Sequence, residues 1–397
     1  MYKIDLNNFQ IAGSKTARDI NSRIILNLVR ERQPISRADL MRDSGLQRSS
    51  VSVITEQLIK ERWLREGATV QLPRGRRPTF LHLNEDRAGI FGINIQPKTT
   101  ELALANLSGR FLAQKTFPTP DDSAAWVAEV NRCIRGWMAK HPRMSYDEIG
   151  VSVPGRIKLS SQKLIFAPNL GWHTTDLKEQ LELATGLSVN MENAANACAL
   201  SEFWFGKHMP NVRNLVVITV SEGIGVGMIL NNQLVRGTSG LAGEFGHVTI
   251  NENGPQCRCG NYGCWEMYAS NSAALRHYNA AKSPDGKKNA IKTFEELLQL
   301  ADQDDPLALE TLKRMGEYLA VGISMLVAGI APDLITIVGD VTSHWDKISP
   351  ILAGVVSKRV STHASARIVA SKSQPSPRLK GSIALVLQKY FTVPIGI

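Results

Sequence analysis

Between residues 16 and 85, the spacing of apolar positions predicts three short helices followed by two strands. In the first helix, Ile20, Ile24 and Leu28 recur every four residues, which is the pattern of an amphipathic helix. A glycine-containing turn at residues 44–46 separates the second helix from the third. Two short helices joined by such a turn and followed by a wing are typical of a winged helix-turn-helix domain. The predicted segments are helices over 16–32, 37–43 and 47–61, and a two-stranded wing over 66–83.

From residue 89 onward, short apolar runs alternate with amphipathic segments. The segment 123–140 carries Trp126, Val130, Ile134 and Trp137 at helical spacing. The alternation predicts an α/β fold and fits a lobe of the actin–hexokinase type. The other predicted segments are strands over 89–94, 101–107, 111–116, 149–153, 214–220, 334–338 and 367–370, and helices over 294–302, 306–330 and 379–390.

Length and composition indicate a globular protein of two or three domains. The chain has 397 residues, of which 43% are hydrophobic and 21% are charged. The first ten residues contain no apolar segment of the kind found in a signal peptide. The longest apolar run, at 321–330, contains glycines and is too short to span a bilayer. We therefore expect a cytoplasmic protein with no membrane partner.

The net charge of +10 is concentrated near the N-terminus. Residues 1–85 contain 15 Lys and Arg against 9 Asp and Glu, whereas the remaining 312 residues contain 31 against 27. A basic module joined to a nearly neutral body is typical of a protein that binds nucleic acid. The same charge also fits a solvated basic face, which is the commoner explanation of charge alone.

The predicted third helix and the wing tip supply candidate contacts to operator DNA. Polar side chains at the start of this helix lie away from its apolar stripe, where they can reach base edges or phosphates. Arginines beside glycine at the wing tip can lie in a narrow minor groove. The alternative is a three-helix packing module with a solvated basic loop. The candidate DNA contacts are Gln47, Arg48, Ser49 and Ser52 on the helix, and Arg74, Arg76 and Arg77 on the wing.

A stretch rich in cysteine and glycine predicts a metal site. Cys257, Cys259 and Cys264 lie within eight residues, and His247 precedes them by ten. Three thiolates and one imidazole form a complete tetrahedral set for structural Zn²⁺, with no position left for a catalytic water. A disulfide is a weaker interpretation, because one intervening residue makes closure between Cys257 and Cys259 awkward. A cluster of reduced, buried cysteines is the remaining alternative.

The run GEFGH at 243–247, followed by CRCGNYGCWE, resembles the signature of the ROK family. This family groups sugar-responsive repressors with bacterial sugar kinases. The resemblance implies a two-lobed actin/hexokinase-like (ribonuclease H-like) sugar-binding domain with a structural zinc loop. It also implies a homodimer or tetramer that binds a sugar or sugar phosphate. The implied sugar contacts are Asn193, Glu244, His247 and Glu266; in the alternative interpretation, Glu244 and Glu266 only support the zinc loop.

The resemblance extends over nearly the whole chain and divides it into four expected segments. The first, at 1–85, is the winged helix-turn-helix, and the second, at 86–203, is the first α/β lobe. The third, at 204–375, is the second lobe with the zinc loop. The last, at 376–397, is a C-terminal helix that returns to the first lobe.

The chain departs from the sugar kinases of the family at three places. Their first hairpin reads D-x-G-G-T, where this chain has Asn94 and, instead of the glycines, Gln96 and Pro97. Their N-D-A-N motif contains the general base, and here Ala194 replaces that aspartate, so no proton acceptor remains at this position. Asp340 stands where nucleotide-binding relatives prefer glycine. Together these departures imply that phosphate transfer is lost.

Two further residues leave alternatives open. Glu192 is adjacent to Ala194 in sequence, but we expect its side chain to point elsewhere. Trp172 could stack on a sugar ring or simply fill the core, and the sequence favours neither. We expect a sugar-responsive DNA-binding regulator that represses carbohydrate genes without phosphorylating its sugar. The alternatives are an active ATP-dependent sugar kinase with an appended DNA-binding domain, and a regulator that has a vestigial sugar cleft and is controlled by a protein partner.

Overall fold

The computed structural model describes residues 14–69, 79–158, 161–166, 170, 172, 176–206, 212–282, 290–360, 366–371 and 376–392. The N-terminal unit is formed by three helices and a small antiparallel sheet with the strand order β1-β3-β2. Its elements are α1 Ser14–Arg32, β1 Ile35–Ser36, α2 Arg37–Ser44, α3 Arg48–Lys60, β2 Leu64–Thr69 and β3 Thr79–Leu83. The three predicted helices and the antiparallel strand pair are confirmed.

Capping explains where the second helix of this unit begins and ends. The Ser36 hydroxyl accepts a hydrogen bond from the backbone N–H of Asp39, and the Asp39 carboxylate accepts one from the backbone N–H of Ser36. This reciprocal pair is a capping box, which satisfies two N–H groups that would otherwise lack partners. Gly45 ends the helix in the left-handed conformation, with φ of 71°. The turn therefore lies where the sequence predicts it.

The first lobe is built on a five-stranded sheet with the order β10-β7-β4-β5-β6. The three strands β10, β7 and β4 are parallel, and the β4-β5-β6 meander is antiparallel. A separate two-stranded hairpin is formed by β8 and β9. The elements are β4 Ile90–Ile95, β5 Thr99–Ala105, β6 Phe111–Pro118, α4 Ser123–Lys140, β7 Glu148–Val153, β8 Arg156–Lys158, β9 Lys163–Phe166, α5 Leu177–Thr185, β10 Ser188–Asn193 and α6 Ala194–Phe205.

The second lobe contains a five-stranded sheet with the order β13-β12-β11-β14-β15. Strands β11, β14 and β15 are parallel, and β12 and β13 extend the sheet antiparallel. Helices α9 and α10 and strands β14 and β15 have the bounds that the sequence predicts. The elements are β11 Leu215–Val220, β12 Ile224–Leu230, β13 Gln233–Leu234, α7 Glu266–Ala269, α8 Asn271–Lys282, α9 Phe294–Asp302, α10 Pro306–Ile330, β14 Leu334–Val338, α11 Trp345–Arg359, β15 Arg367–Ala370 and α12 Pro377–Phe391.

Two helices, α6 and α12, pack closely at the junction of the two lobes. A Cβ added at Gly381 would lie 1.8 Å from the carbonyl oxygen of Ala197, so only glycine permits this approach. Helix α12 also contacts β4 and β7 of the first sheet, while α6 contacts β11 and β12 of the second. Helix α6 continues past residue 203, where the sequence suggests a lobe boundary. The bounds of the four predicted segments stay predictions.

The C-terminal half of α12 also packs against the N-terminal unit. One continuous core contains Ile25 and Val29 of α1 together with Val386 and Phe391 of α12. The Arg23 guanidinium donates to the carbonyl oxygen of Lys389 at 3.0 Å. This helix therefore joins the N-terminal unit to the first lobe.

Aromatic contacts reinforce the same junction. The guanidinium of Arg30 lies 4.3 Å from the ring centre of Trp204, and burial lowers the pKa of this arginine. The rings of Trp63 and Tyr390 are 5.5 Å apart. Among the described residues, no helix is both long enough and apolar enough to cross a membrane.

Candidate functional site

The four predicted metal ligands lie together in the second lobe. The candidate ligand atoms of His247, Cys257, Cys259 and Cys264 all lie within 4.8 Å of one another. Cys257 Sγ is 3.6 Å from His247 Nδ1, and Cys259 Sγ is 3.6 Å from Cys264 Sγ. Tetrahedral zinc with ordinary bond lengths requires about 3.6 Å between sulfur and nitrogen and about 3.8 Å between two sulfurs. The cluster therefore fits a tetrahedral ion of this size.

The same distances exclude a disulfide between Cys259 and Cys264, because bonded sulfur atoms are about 2.05 Å apart. All three cysteines of the cluster are free. Burial raises the pKa of the Cys257 and Cys264 thiols. A divalent cation offsets this effect, because it stabilises the thiolate form directly.

The local fold brings these ligands together from both ends of the loop. Residues Glu244–His247 form a short 3-10 helix after Gly243, whose φ is 99°. A Cβ at Gly243 would lie 2.2 Å from the carbonyl oxygen of Val226, so this turn requires glycine. An isolated bridge pairs Thr249 with Cys264 and closes the loop. The loop is anchored on α10 by Trp265, which is fully buried and donates from Nε1 to the carbonyl oxygen of Tyr318 at 2.8 Å.

The His247 ring has its Nδ1 edge toward Cys257 and Glu266 and its Nε2 edge toward Glu244. Its Nδ1 is 3.6 Å from Cys257 Sγ, and its Nε2 is 3.6 Å from Glu244 Oε2. With Nδ1 as the metal ligand, Nε2 carries the ring proton and can donate a hydrogen bond. Glu266 lies beside the same cluster, with Oε1 3.1 Å from Cys257 Sγ. The second oxygen of Glu266 accepts from the backbone N–H of Ile224 at 3.4 Å.

Two ion pairs connect the first lobe to the second. Arg156 Nε lies 3.5 Å from Glu244 Oε1, and both side chains are partly exposed. Arg236 Nε donates to Glu192 Oε2 at 2.7 Å, and Glu192 is buried. We call the group Arg156, Asn193, Glu244, His247 and Glu266 the cleft cluster. Sequence reasoning missed Arg156 and Arg236, because neither belongs to a motif and their partners are distant in sequence.

Asn193 is held firmly at the start of α6. Its side-chain oxygen accepts from the backbone N–H of Ala195 at 2.8 Å, which caps the helix. Its amide donates to the carbonyl oxygen of Gly155 at 2.8 Å, directly before Arg156. Each end of the amide retains capacity for one more hydrogen bond. Its role as a sugar contact stays a prediction.

The predicted DNA contacts that the structure describes lie on the outer side of α3. Gln47, Arg48 and Ser49 are exposed and Ser52 is half-buried. The opposite side of the helix is buried in the core of the N-terminal unit through Val51, Ile54, Thr55 and Leu58. The wing arginines Arg74, Arg76 and Arg77 lie outside the described residues.

Residues 90–389 match the ROK family. The chain belongs to the ROK family. The xylose repressor of Bacillus spizizenii is 33% identical over 353 residues, covering 88% of this chain and 90% of its own. Among solved structures, a ROK family transcriptional regulator described as a homolog of the E. coli MLC protein has a TM-score of 0.80. It is 26% identical and covers 95% of this chain and 98% of its own.

Sugar kinases of the ROK family share the two-lobed part. A ROK family glucokinase from Streptomyces griseus, solved with glucose and AMPPNP, has a TM-score of 0.64 and 25% identity. The similarity covers 75% of this chain and 99% of the glucokinase. The α/β fold of this chain is therefore the ROK fold, which regulators and kinases share.

A cavity of about 350 Å³ lies between the lobes, beside the first hairpin, and we call it the second cavity to distinguish it from the cleft cluster. The charged residues in its lining are Glu222, Asp340 and Arg378. Asn94 is buried, and its amide donates to Glu101 Oε2 at 2.6 Å. The other residues that line the second cavity are Gln96, Val220, Ser221, Asn271, Val338, Gly339, Thr342, Ser371, Ser376 and Pro377.

Glu192 has a structural role in the position next to Ala194. Its Oε1 accepts from the backbone N–H of Asn193 and from Asn196 Nδ2, each at 3.0 Å. Its Oε2 is paired with Arg236, as described above. Both carboxylate oxygens of Glu192 therefore already have hydrogen-bond donors, which agrees with the expectation that its side chain does not act as a base at the position of Ala194.

Trp172 belongs to the core of the first lobe. It is 8% exposed, and its Nε1 donates to the carbonyl oxygen of Pro120 at 3.0 Å. Its ring lies 5.4 Å from that of Trp126. Of the two possibilities left open by the sequence, the structure supports core packing.

Proposed function

We propose that this protein is a sugar-responsive transcriptional repressor. Its N-terminal unit binds operator DNA, and a sugar bound at the cleft cluster weakens that binding. The observation that carries the proposal is the position of α12. Gly381 of this helix packs directly on Ala197 of α6, whose N-terminal cap Asn193 belongs to the cleft cluster, whereas Phe391 at the end of α12 lies in the core of the N-terminal unit.

The cleft cluster has the chemistry needed to bind vicinal hydroxyl groups. Glu244 and Glu266 provide carboxylate oxygens that accept hydrogen bonds, and His247 Nε2 can donate one. Zn²⁺ held by His247 and the three cysteines would keep the loop folded and fix the tautomer of the imidazole. The role of zinc in this proposal is structural.

Charge favours a neutral sugar over a sugar phosphate. The cleft cluster contains two carboxylates, Glu244 and Glu266, and one arginine, Arg156, which is paired with Glu244. Arg236 is paired with Glu192 instead. A site with excess negative charge repels a phosphate group. The name of the B. spizizenii relative supports a neutral pentose as the first candidate.

We propose that the protein does not phosphorylate its sugar. Ala194 offers no proton acceptor, and Pro97 lacks the backbone N–H that could bind a phosphate. The carboxylates of Glu222 and Asp340 in the second cavity oppose a triphosphate. The kinase relatives share the fold of this chain, but we do not propose that this chain catalyses their phosphoryl transfer.

The N-terminal unit presents a suitable surface for DNA. Arg32, Arg37 and Arg42 are paired with acidic residues of the same unit. Arg48, in contrast, is exposed and has no acidic partner within the part of the chain that the structure describes. This arrangement leaves a cation at the start of α3, where a helix entering the major groove meets phosphates and base edges.

The proposal is tested with the full-length, zinc-loaded protein and a DNA duplex that it selects from a random library. The dissociation constant for this duplex is measured without sugar and with D-xylose, D-glucose or glucose 6-phosphate. We expect a neutral sugar to weaken DNA binding at least fivefold, and glucose 6-phosphate to have a smaller effect. Sequence-specific binding that no sugar changes would contradict the sensor role and favour control by a protein partner.

A further inference from the structure

The outer face of α3 is polar except for one exposed apolar side chain. Residues 49, 53, 56 and 60 recur at helical spacing and are all exposed, so they form the centre of the face opposite the buried stripe. Three of them are Ser49, Glu56 and Lys60. The fourth is Val53, whose side chain is 47% exposed.

The buried stripe shows that Val53 is not needed for the core. Val51, Ile54 and Leu58 fill the core side of α3, and each is at most 5% exposed. Thr55 completes this side: its hydroxyl accepts from Arg37 Nε at 3.2 Å. Val53 lies about 100° around the helix from Ile54, on the solvent side.

We propose that Val53 recognises thymine through contact with the 5-methyl group in the major groove. This inference rests on the proposed function, because it requires that α3 is the recognition helix. Val53 lies one turn after Ser49 and five residues after Arg48, so it faces the groove between the polar contacts. The thymine methyl is the only apolar group that base edges present there. A β-branched side chain also loses little conformational freedom on binding, because its rotamer is already restricted in a helix.

The neighbouring residues sharpen the expected preference. Glu56 follows Val53 by three residues on the same face, where a carboxylate can accept from the amino group of cytosine but has no donor for guanine or thymine. Ser49 precedes it by one turn and can contact any base. Val53 is therefore the residue of this face that distinguishes thymine from the other pyrimidine, cytosine, by its methyl group.

The inference is tested by a cycle that removes methyl groups from both sides of the interface. Full-length protein and Val53→Ala are compared on the selected duplex. They are then compared on versions in which one thymine at a time is replaced by deoxyuridine, which lacks only the methyl group. We expect one position where this replacement weakens binding by the unsubstituted protein about fourfold, the effect of one methyl lost from an apolar contact. At that position the replacement should have no effect on Val53→Ala.

Controls separate this inference from the proposed function. Leu183→Ala removes an 80% exposed apolar side chain on α5 and should bind every duplex like the unsubstituted protein. Equal melting temperatures of both variants establish that Val53→Ala remains folded. If the losses of DNA affinity caused by Val53→Ala and by deoxyuridine simply add at every thymine, the inference is overturned and the proposed function remains intact. Failure to select any duplex would contradict the proposed function itself.

Discussion

The two sides of the cleft between the lobes differ in the side chains that line them. On the zinc-loop side, His247, Glu244 and Glu266 lie around a cluster whose spacing fits tetrahedral zinc. On the opposite side, the cavity beside the first hairpin is lined by Glu222, Asp340 and Arg378, and we propose that this lining does not accept a triphosphate. Binding a sugar and transferring phosphate to it require different residues, so one ability can persist while the other is lost.

The largest effect is expected from breaking the metal cluster. Cys264→Ser removes one thiolate, so we expect zinc affinity to fall more than about 100-fold and sugar binding to be lost with the folded loop. Metal content after dialysis and sugar titration measure the two effects. Cys133→Ser, which changes a buried cysteine of α4, should keep its zinc. Full metal retention by Cys264→Ser would contradict the proposed ligand set.

Glu244→Gln tests the zinc-loop side with the metal retained. The change keeps the shape of the side chain but removes its charge, and we expect sugar affinity to fall about 10- to 100-fold, as for a lost hydrogen bond to a charged group. Calorimetric titration with the effector sugar measures it. Glu222→Gln in the second cavity is the matched control, with affinity unchanged. Equal losses of sugar affinity in both variants would contradict the proposed difference between the zinc-loop side and the second cavity.

Arg156→Gln should have a smaller effect, in the opposite direction. Arg156 is paired with Glu244 before sugar arrives, and the pair is partly exposed. Removing it frees Glu244 to accept from a sugar hydroxyl, so we expect affinity to rise about two- to fivefold. The gain should shrink at high salt, which screens the original pair. Weaker binding by the variant would show instead that Arg156 contacts the sugar.

The smallest effect is expected from Ala194→Asp. This change restores a carboxylate at the position of the missing base, but Pro97 and the acidic lining of the second cavity remain. We expect no sugar phosphorylation above the background of a no-enzyme control, measured by the formation of sugar phosphate from ATP. Measurable turnover would show that the second cavity still accepts ATP.

Local sequence signals predicted much of the fold. Helices α9 and α10 were predicted with their observed bounds because strong periodicity coincides with clear caps: Thr293 and Asp305 each accept a hydrogen bond at the helix start. Helix α11 was not predicted, because Pro350 lies inside it and proline in an apolar pattern usually indicates a break. The proximity of the zinc ligands was predicted from the spacing of only four residues.

The rest depends on contacts between distant parts of the chain. The pairs Arg156–Glu244 and Arg236–Glu192 form only after the lobes pack together, and no local pattern indicates them. A tryptophan at position 172 is compatible with stacking on a sugar and with packing in the core. Its burial is therefore seen only in the structure. The contact of α12 with the N-terminal unit is also a tertiary feature, although the helix itself was predicted.

Sugar binding and operator binding are thermodynamically linked in the proposed function, and reciprocal titration tests this linkage most directly. The dissociation constant for the selected duplex is measured with and without saturating effector sugar, and that for the sugar with and without saturating duplex. Linkage requires the two ratios to be equal. We predict a common factor of at least five, with each ligand weakening the other. A sugar that binds tightly yet leaves the affinity for DNA unchanged would contradict the account.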